Sequence, residues 1–176
     1  MTGAGGGVGG FAIALLAAAG REVHASTGRG DALGDHLRAL GAAAIEPRLE
    51  GEPGRPLQTA RWAAVVDSVG GAPLVNAIAQ TVPGGMVAAC GLAASADLPG
   101  SVLPYILRGV TLTGIYSVDL VPTLRLAAWD LLASRLDPAH VDRMVEREIG
   151  LADVPAAAED VLAGRVRGRV LVDPTR

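Results

Sequence analysis

The chain has 176 residues, of which half are apolar, with a formal net charge of −3 at pH 7 and a pI of about 5.6. This length corresponds to about one domain, and the apolar content excludes a disordered chain. The acidic balance and the 3% aromatic content argue against a surface for nucleic acid or an anionic membrane. All cationic side chains are arginine, so mechanisms that require a lysine are excluded.

Cysteine and histidine usage restricts the location and the chemistry of the chain. The single cysteine, Cys90, cannot form an internal disulfide or a thiolate zinc cluster, and a reducing, cytoplasmic location is expected. We expect Cys90 itself to be a small buried residue rather than a nucleophile. The histidines do not have metal-ligand spacing, so no metal site is predicted. The apolar run Phe11–Ala19 is too short to span a bilayer, and no cationic side chain precedes it as in a secretion signal.

Helices and short apolar strands alternate along the predicted chain. Helices are predicted from Val8 to a stop at Gly20, and over Asp31–Leu40, Pro73–Thr81, Leu103–Leu107, Pro122–Leu136 and Val154–Leu162. Strands are predicted over Val23–Ser26, Ala43–Ile45, Ala63–Asp67, Met86–Cys90, Val110–Ile115 and Val170–Val172, with a loop over Gly51–Pro56. The strand Ala63–Asp67 is expected to be buried. This alternation predicts an α/β fold, a doubly wound parallel (Rossmann-type) sheet with helices on both faces.

The start of the chain does not match a complete sheet of this type. In a nucleotide-binding βαβ unit, the middle strand of the sheet comes directly before the glycine-rich loop. Here the loop begins at Gly3, so the first strand is expected to be truncated. Two interpretations stay open, namely a shortened form of a longer chain and a free-standing domain with a rearranged sheet.

The glycine-rich segment that precedes the first helix is the main candidate for a phosphate site. Gly5, Gly7 and Gly10 fit the pattern G-x-G-x-x-G, in which glycines let the backbone approach a pyrophosphate at a helix N-terminus. A glycine-rich tail without a ligand is the alternative. The segment also fits the loop of short-chain dehydrogenases, but their tyrosine–lysine pair and the lysine of a P-loop are both missing.

The end of the second predicted strand indicates which dinucleotide is preferred. An acidic residue at this point binds the ribose of NAD, whereas an arginine accommodates the 2′-phosphate of NADP. The chain has Ser26, Thr27 and Arg29 here, with no carboxylate before Asp31. We therefore predict NADP(H), with a plain turn and a solvated arginine as the alternative.

Six blocks of sequence resemble, in order, the zinc-independent medium-chain dehydrogenase/reductases, and within them the acryloyl-CoA reductase and quinone oxidoreductase branch. The blocks are Thr2–Gly9, Ala25–Arg29, Arg61–Gly71, Ala88–Ala93, Tyr105–Val110 and Leu112–Ser117, and the resemblance continues to Gly164–Val170. It implies an NADPH-dependent reduction of an activated C=C bond in a small substrate such as an enoyl thioester, enone or quinone.

The same resemblance implies a role for individual residues. The predicted pyrophosphate contacts are Gly6, Gly7, Val8 and Gly9, and the predicted 2′-phosphate contacts are Ser26, Thr27 and Arg29. Arg61 is expected on the adenosine side of the cofactor, Val69 and Gly70 beside the cofactor, and Leu92, Ile106 and Ser117 along the nicotinamide half. As alternatives, Leu92 and Ile106 are core residues and Arg61 covers Trp62. No catalytic residue is predicted.

The resemblance also divides the chain and leaves two functions open. Residues 1–136 are predicted to form the NADP-binding domain, and residues 137–176 a strand–helix–strand tail that in the family returns to a separate catalytic domain. The acidic residues of this tail are predicted to be solvated helix charges. A reductase fragment is expected, with a non-enzymatic dinucleotide-binding or assembly module as the alternative. A homodimer is expected through the edge strand 110–115.

Overall fold

The structure, a computed structural model, describes residues 1–49 and 52–176, so the predicted loop at 51–56 begins outside the described residues. The helices are α1 (Gly7–Ala18), α2 (Gly30–Ala39), α3 (Gly71–Ala79), α4 (Leu103–Arg108), α5 (Pro122–Arg135), α6 (Pro138–Met144) and α7 (Val154–Leu162). The strands are β1 (His24–Thr27), β2 (Ala44–Pro47), β3 (Trp62–Asp67), β4 (Thr81–Ala89), β5 (Thr111–Gly114), β6 (Val145–Gly150) and β7 (Arg169–Asp173). A short 3-10 turn, Leu151–Asp153, precedes α7.

All strand pairs of the described chain are parallel. β1 pairs with β2, β4 lies between β3 and β5, and β6 pairs with β7. Met1 and Thr2 connect the β1–β2 pair with the β3–β4–β5 sheet. Ser26 N donates to Met1 O at 2.9 Å, and Thr2 N donates to Val66 O at 3.1 Å. The carboxyl ends of β1 and β3 therefore lie at one edge, on either side of the glycine-rich segment. The predicted doubly wound parallel fold with helices on both sides is confirmed.

Local sequence explains where the helices stop. α2 ends in a Schellman motif, in which Gly41 N donates to Arg38 O and Ala42 N donates to Leu37 O. Gly41 has φ +105°, a left-handed conformation that glycine adopts without a steric cost.

Within residues 1–49 and 52–176, no helix is long and apolar enough to cross a membrane.

Two apolar clusters form the core. The first packs α1 and α2 against β1, with Ile13, Leu37 and Leu40 fully buried. Met144, at the end of α6, is buried in this cluster although it lies beyond residue 136. The second cluster packs α3 against β3 and β4 around Val87. The domain boundary at residue 136 stays a prediction, and Met144 connects the two predicted parts.

Three details of the sequence prediction were wrong. α3 ends at Ala79, because Thr81 already pairs with Trp62 as the first residue of β4. The sequence patterns missed α6 and did not assign bounds to the first strand of the tail, β6, so Glu146 and Glu148 belong to a strand rather than a helix. The strand β3 was expected to be buried throughout, but Ala63 and Ala64 are exposed. Short polar elements such as β6, with sequence VEREIG, have no apolar alternation that identifies them.

Candidate functional site

The glycine-rich segment at residues 3–6 forms a turn, the glycine turn, that leads directly into α1 at the carboxyl edge of the sheet. Ala4 N donates to Ser26 O at 3.2 Å, which holds the turn against the end of β1. Gly6 is the N-cap of α1 and has no side chain to cap the helix. The first N–H groups of an α-helix lack a partner within the helix and carry partial positive charge. The turn therefore presents backbone donors at the point where β1 and β3 end.

Arg29 lies on the β1 side of this turn. Thr27 Oγ1 accepts from Arg29 N at 3.1 Å, and a Cβ atom on Gly5 would lie 3.1 Å from Arg29 Nη2. The guanidinium donates to the carbonyl oxygens of Arg165 at 3.1 Å and Val166 at 2.9 Å. Arg29 is thus held between the glycine turn and the C-terminal segment, and its contact with a 2′-phosphate stays a prediction.

An open cavity of about 520 Å³ lies beside the ends of β1 and β2, and Thr27, Gly28 and Arg48 are among its lining residues. A Cβ atom on Gly28 would lie 3.4 Å from Cζ of Arg48, so this guanidinium faces the turn that follows β1. Ser26 Oγ donates to Pro47 O at 3.0 Å, which links the two strand ends. Two guanidinium groups, those of Arg29 and Arg48, therefore flank the short segment Ser26–Gly28.

A third guanidinium, from Arg169, lies directly against the first turn of α1. It occupies the space that a side chain on Gly7 would take. The backbone places it there, because Gly168 N donates to Gly5 O at 3.0 Å and Gly168 forms a parallel bridge with Gly6. The C-terminal segment 165–169 therefore borders the glycine turn along its length and adds positive charge at the helix N-terminus.

The turn after β3, Ser68–Gly70, lies on the other side of the glycine turn from β1, and the candidate cleft lies between these two turns. Asp67 is fully buried, and its carboxylate accepts from Val69 N at 3.1 Å and from Gly70 N at 2.8 Å. Gly70 has φ +72°, and a side chain there would overlap the carbonyl oxygen of Ser95. Only glycine fits this position without distortion. The side chain of Val69, beside it, is buried.

The residues predicted along the nicotinamide half are exposed. Leu92 is 66% and Ile106 69% exposed, so the alternative that they are core residues is wrong. Ser117 is exposed in the segment after β5, where its carbonyl oxygen accepts from Arg125. Cys90 is exposed too, contrary to expectation. Its thiol donates to Asp67 O at 3.2 Å, and desolvation raises the pKa of this thiol above its ordinary value.

Arg61 does not join the other candidates. It lies just before β3, at the amino end of that strand, whereas the glycine turn, Arg29 and Gly70 lie at carboxyl ends. Its Nη2 lies 2.8 Å from Glu46 Oε1, and its guanidinium stacks on Trp62 at 4.2 Å from the ring centroid. These contacts match the alternative in which Arg61 covers Trp62.

The structure thus brings most of the predicted residues to one edge and adds two that the sequence reasoning missed. Arg48 directly follows β2, so its position after a predicted strand was a signal that could have identified it. Arg169 is separated from the glycine turn by most of the chain. Only the return of the C-terminal segment to Gly5 and Gly6 brings it into the site.

Comparison with known proteins gives relatives that match almost the whole chain. An acrylyl-CoA reductase, AcuI, of Ruegeria pomeroyi is 45% identical over 175 residues, which are 98% of this chain and 52% of that protein. The putative quinone oxidoreductase YhfP of Bacillus subtilis is 40% identical over 174 residues, with the same coverage. The chain matches no protein-family model. It spans about half the length of the curated relatives it matches.

Solved structures agree with these relatives. The yhdH oxidoreductase of Salmonella enterica, in complex with NADP, superposes with a TM-score of 0.93 at 42% identity, covering 98% of this chain and 52% of that one. The YhfP protein of B. subtilis with NAD bound superposes with a TM-score of 0.89 at 39% identity, covering 98% and 53%. The predicted resemblance to the acryloyl-CoA reductase and quinone oxidoreductase branch is confirmed.

Proposed function

Since this chain is related to one half of the acryloyl-CoA reductases and quinone oxidoreductases of the medium-chain family, we propose that it is the NADP(H)-binding half of such a reductase. The intact reaction would reduce an activated C=C bond in an acryloyl-CoA-type thioester, an enone or a quinone. The observation that carries the proposal is the placement of Arg29 and Arg169 against the glycine turn and of Arg48 beside the adjoining turn after β1. Three guanidinium groups at one sheet edge suit a ligand with several phosphates.

The pyrophosphate is proposed to bind at the N-terminus of α1. The N–H groups of Gly7, Val8 and Gly9 lie in the first turn of α1, directly after the N-cap Gly6, and Arg169 supplies a guanidinium beside them. A side chain at Gly7 would take the same space as this guanidinium. The donors and the charge are therefore arranged before any ligand arrives.

The 2′-phosphate is proposed to bind between Arg29 and Arg48, with the hydroxyls of Ser26 and Thr27 nearby. Thr27 orients the backbone of Arg29 through its Oγ1, and the Arg165 and Val166 carbonyls fix the guanidinium. A fixed, planar guanidinium loses little entropy on binding a phosphate. This arrangement favours NADPH over NADH.

The nicotinamide half is proposed to lie along the turn at Val69 and Gly70, towards Leu92, Ile106 and Ser117. When bound, NADPH supplies the hydride that the reaction needs. The chain's own residues hold and orient the ring, and the exposed side chains of Leu92 and Ile106 exclude water from one side of it. Arg61 is not included in this proposal because of its position at the amino end of β3.

Titration of the chain with NADPH and NADH, followed by a turnover assay with acryloyl-CoA, tests the proposal. We expect calorimetric binding of NADPH that is at least about tenfold tighter than that of NADH, the value of one additional charged hydrogen bond. Absence of binding to folded protein contradicts the proposal. Binding without turnover supports the alternative function, a dinucleotide-binding or assembly module. The exposed apolar residues of α5 favour this alternative, because such surfaces are usually covered by a partner.

A homodimer through β5 is proposed as a further property. In the described part of the chain, β5 pairs with β4 and lies at the edge of its sheet, and the neighbouring Ile115 is exposed. An unpaired strand edge can pair with a second copy. Sedimentation of the chain and of a Leu112→Pro variant tests this, because proline removes an N–H from the strand. We expect a dimer for the unchanged chain and a monomer for the Leu112→Pro variant.

The cytoplasmic location of the chain stays a prediction.

A further inference from the structure

The hydroxyl of Thr2 and the carboxylate of Asp67 form a buried contact between the two sides of the candidate cleft. Thr2 Oγ1 donates to Asp67 Oδ1 at 2.5 Å, and both residues are buried. Thr2 leads into the glycine turn, and Asp67 ends β3. The same carboxylate accepts from Val69 N and Gly70 N through its other oxygen. One carboxylate therefore connects the start of the glycine turn with the turn that follows β3.

Ser68 strengthens this connection from both directions. Ser68 N donates to Thr2 Oγ1 at 3.2 Å, and Ser68 Oγ donates to Thr2 O at 3.2 Å. A side chain on Gly3 would overlap Ser68 Oγ, so the two turns are in close contact. The hydroxyl of Thr2 both donates to Asp67 and accepts from Ser68, which uses its donor and one acceptor position. Such a fully connected network fixes the separation of the segments that it joins.

We propose that Thr2 is a positioning residue that sets the gap between the glycine turn and the Val69–Gly70 turn, so that both halves of a dinucleotide are held at once. This rests on the proposed function, because it assumes that the pyrophosphate and the nicotinamide occupy these two turns. The adenosine side is held differently. Ala4 N donates to Ser26 O, and Ser26 N donates to Met1 O, so backbone bonds attach the glycine turn to β1 without the Thr2 side chain.

The proposal separates two kinds of ligand. A dinucleotide contacts both turns, and its binding depends on their separation. Adenosine 2′,5′-bisphosphate contacts the β1 side, near Arg29 and Arg48, and places its 5′-phosphate at the glycine turn. It does not reach the Val69–Gly70 turn, so its binding does not depend on the separation of the two turns. A purely structural role for Thr2 would affect the two ligands equally, through the fraction of folded protein.

The test compares Thr2→Val with wild type in the full chain, using calorimetric titration with NADPH and with adenosine 2′,5′-bisphosphate. Valine keeps the shape of threonine and removes the hydroxyl. We expect a tenfold or greater increase in the Kd for NADPH and less than a twofold change for the bisphosphate. Thr2→Ser, which keeps the hydroxyl, should restore NADPH binding to within threefold of wild type.

Thr81→Val is the matched control, because Thr81 is also buried and donates its hydroxyl to Ala77 O at 2.9 Å, outside the cleft. It should leave both Kd values within twofold of wild type. Equal losses for both ligands in Thr2→Val, or an unchanged Kd for NADPH, would overturn the positioning role. If Thr2→Val does not fold, Ser68→Ala replaces it, and the same selective loss for NADPH is required. Wild-type protein that binds neither ligand contradicts the proposed function instead.

Discussion

Arg169 places its guanidinium against Gly7, at the first turn of α1, although the two residues are 162 positions apart in the chain. The contact puts a fixed positive charge beside the unpartnered N–H groups of the helix. Both features favour an anion at the same point.

From this contact we predict that Arg169→Met raises the Kd for NADPH and the Kd for NADH by similar factors, on the order of tenfold. One charged hydrogen bond contributes about 1.5–3 kcal/mol to binding. The pyrophosphate is common to both cofactors, so selectivity between them should not change. Fluorescence titration of both cofactors measures this. A loss confined to NADPH would place Arg169 at the 2′-phosphate instead.

Arg29→Ala, by contrast, should weaken the binding of NADPH selectively. We expect the Kd for NADPH to rise by about tenfold or more and the Kd for NADH by less than about threefold, because only NADPH has the 2′-phosphate. Arg176→Ala is the control, since the guanidinium of Arg176 pairs with Glu148 at 3.0 Å, away from the proposed phosphate contacts. Equal losses for both cofactors in Arg29→Ala would contradict the assignment.

The pH dependence of stability should reveal the ion pair of His24. Its hydrogen bond with Glu46 raises the pKa of His24, against a smaller opposing effect of burial. Protonated His24 therefore stabilises the fold fully below its unfolded pKa of about 6.5, and this stabilisation is lost as the pH rises through the higher folded value.

Thermal melts of wild type and His24→Gln from pH 5.5 to 9 test this. We expect the difference in Tm between them to be largest at the acidic end and to decline as the pH increases. In a Glu46→Gln background, where the main cause of the shift is removed, the decline should become much smaller. A difference in Tm that grows with pH would show that the sign is wrong.

The first core cluster gives a prediction for stability. Ile13 is fully buried in α1, and Ile13→Ala should lower the free energy of unfolding by about 2–5 kcal/mol. Leu124→Ala, on the exposed face of α5, should change it by less than about 0.5 kcal/mol. Urea denaturation of the two variants measures both values. A similar effect of the two substitutions would mean that Ile13 is not a core residue.

Local patterns in the sequence were sufficient for most of the fold. α7 was predicted with its observed bounds, and α2 was predicted within one residue at each end because Gly41 marks its stop. Apolar runs identified β1, β3 and β4, although β4 begins earlier than Met86. The bounds of β6 could not be read from the sequence pattern, because its polar residues lack the alternation of an amphipathic strand, and only the family resemblance implied a strand before α7.

Tertiary contacts were the part of the site that the sequence could not provide. The glycine pattern and the residues Ser26, Thr27 and Arg29 follow from short-range rules about phosphates and strand ends. The burial of Asp67 beside Thr2 and the approach of Arg169 to Gly7 depend on pairs far apart in sequence. No spacing rule connects such pairs, so only the folded chain shows them.

The two tryptophans lie in contrasting surroundings. Trp62 is half-buried, donates its indole N–H to Gln80 at 3.1 Å and has Arg61 stacked on its ring, whereas Trp129 is 63% exposed on α5. Indole emission shifts to shorter wavelength when water is displaced from the ring. Trp129 is therefore a natural fluorescence probe. Its emission wavelength reports when another surface covers α5, and Trp62 serves as an internal reference.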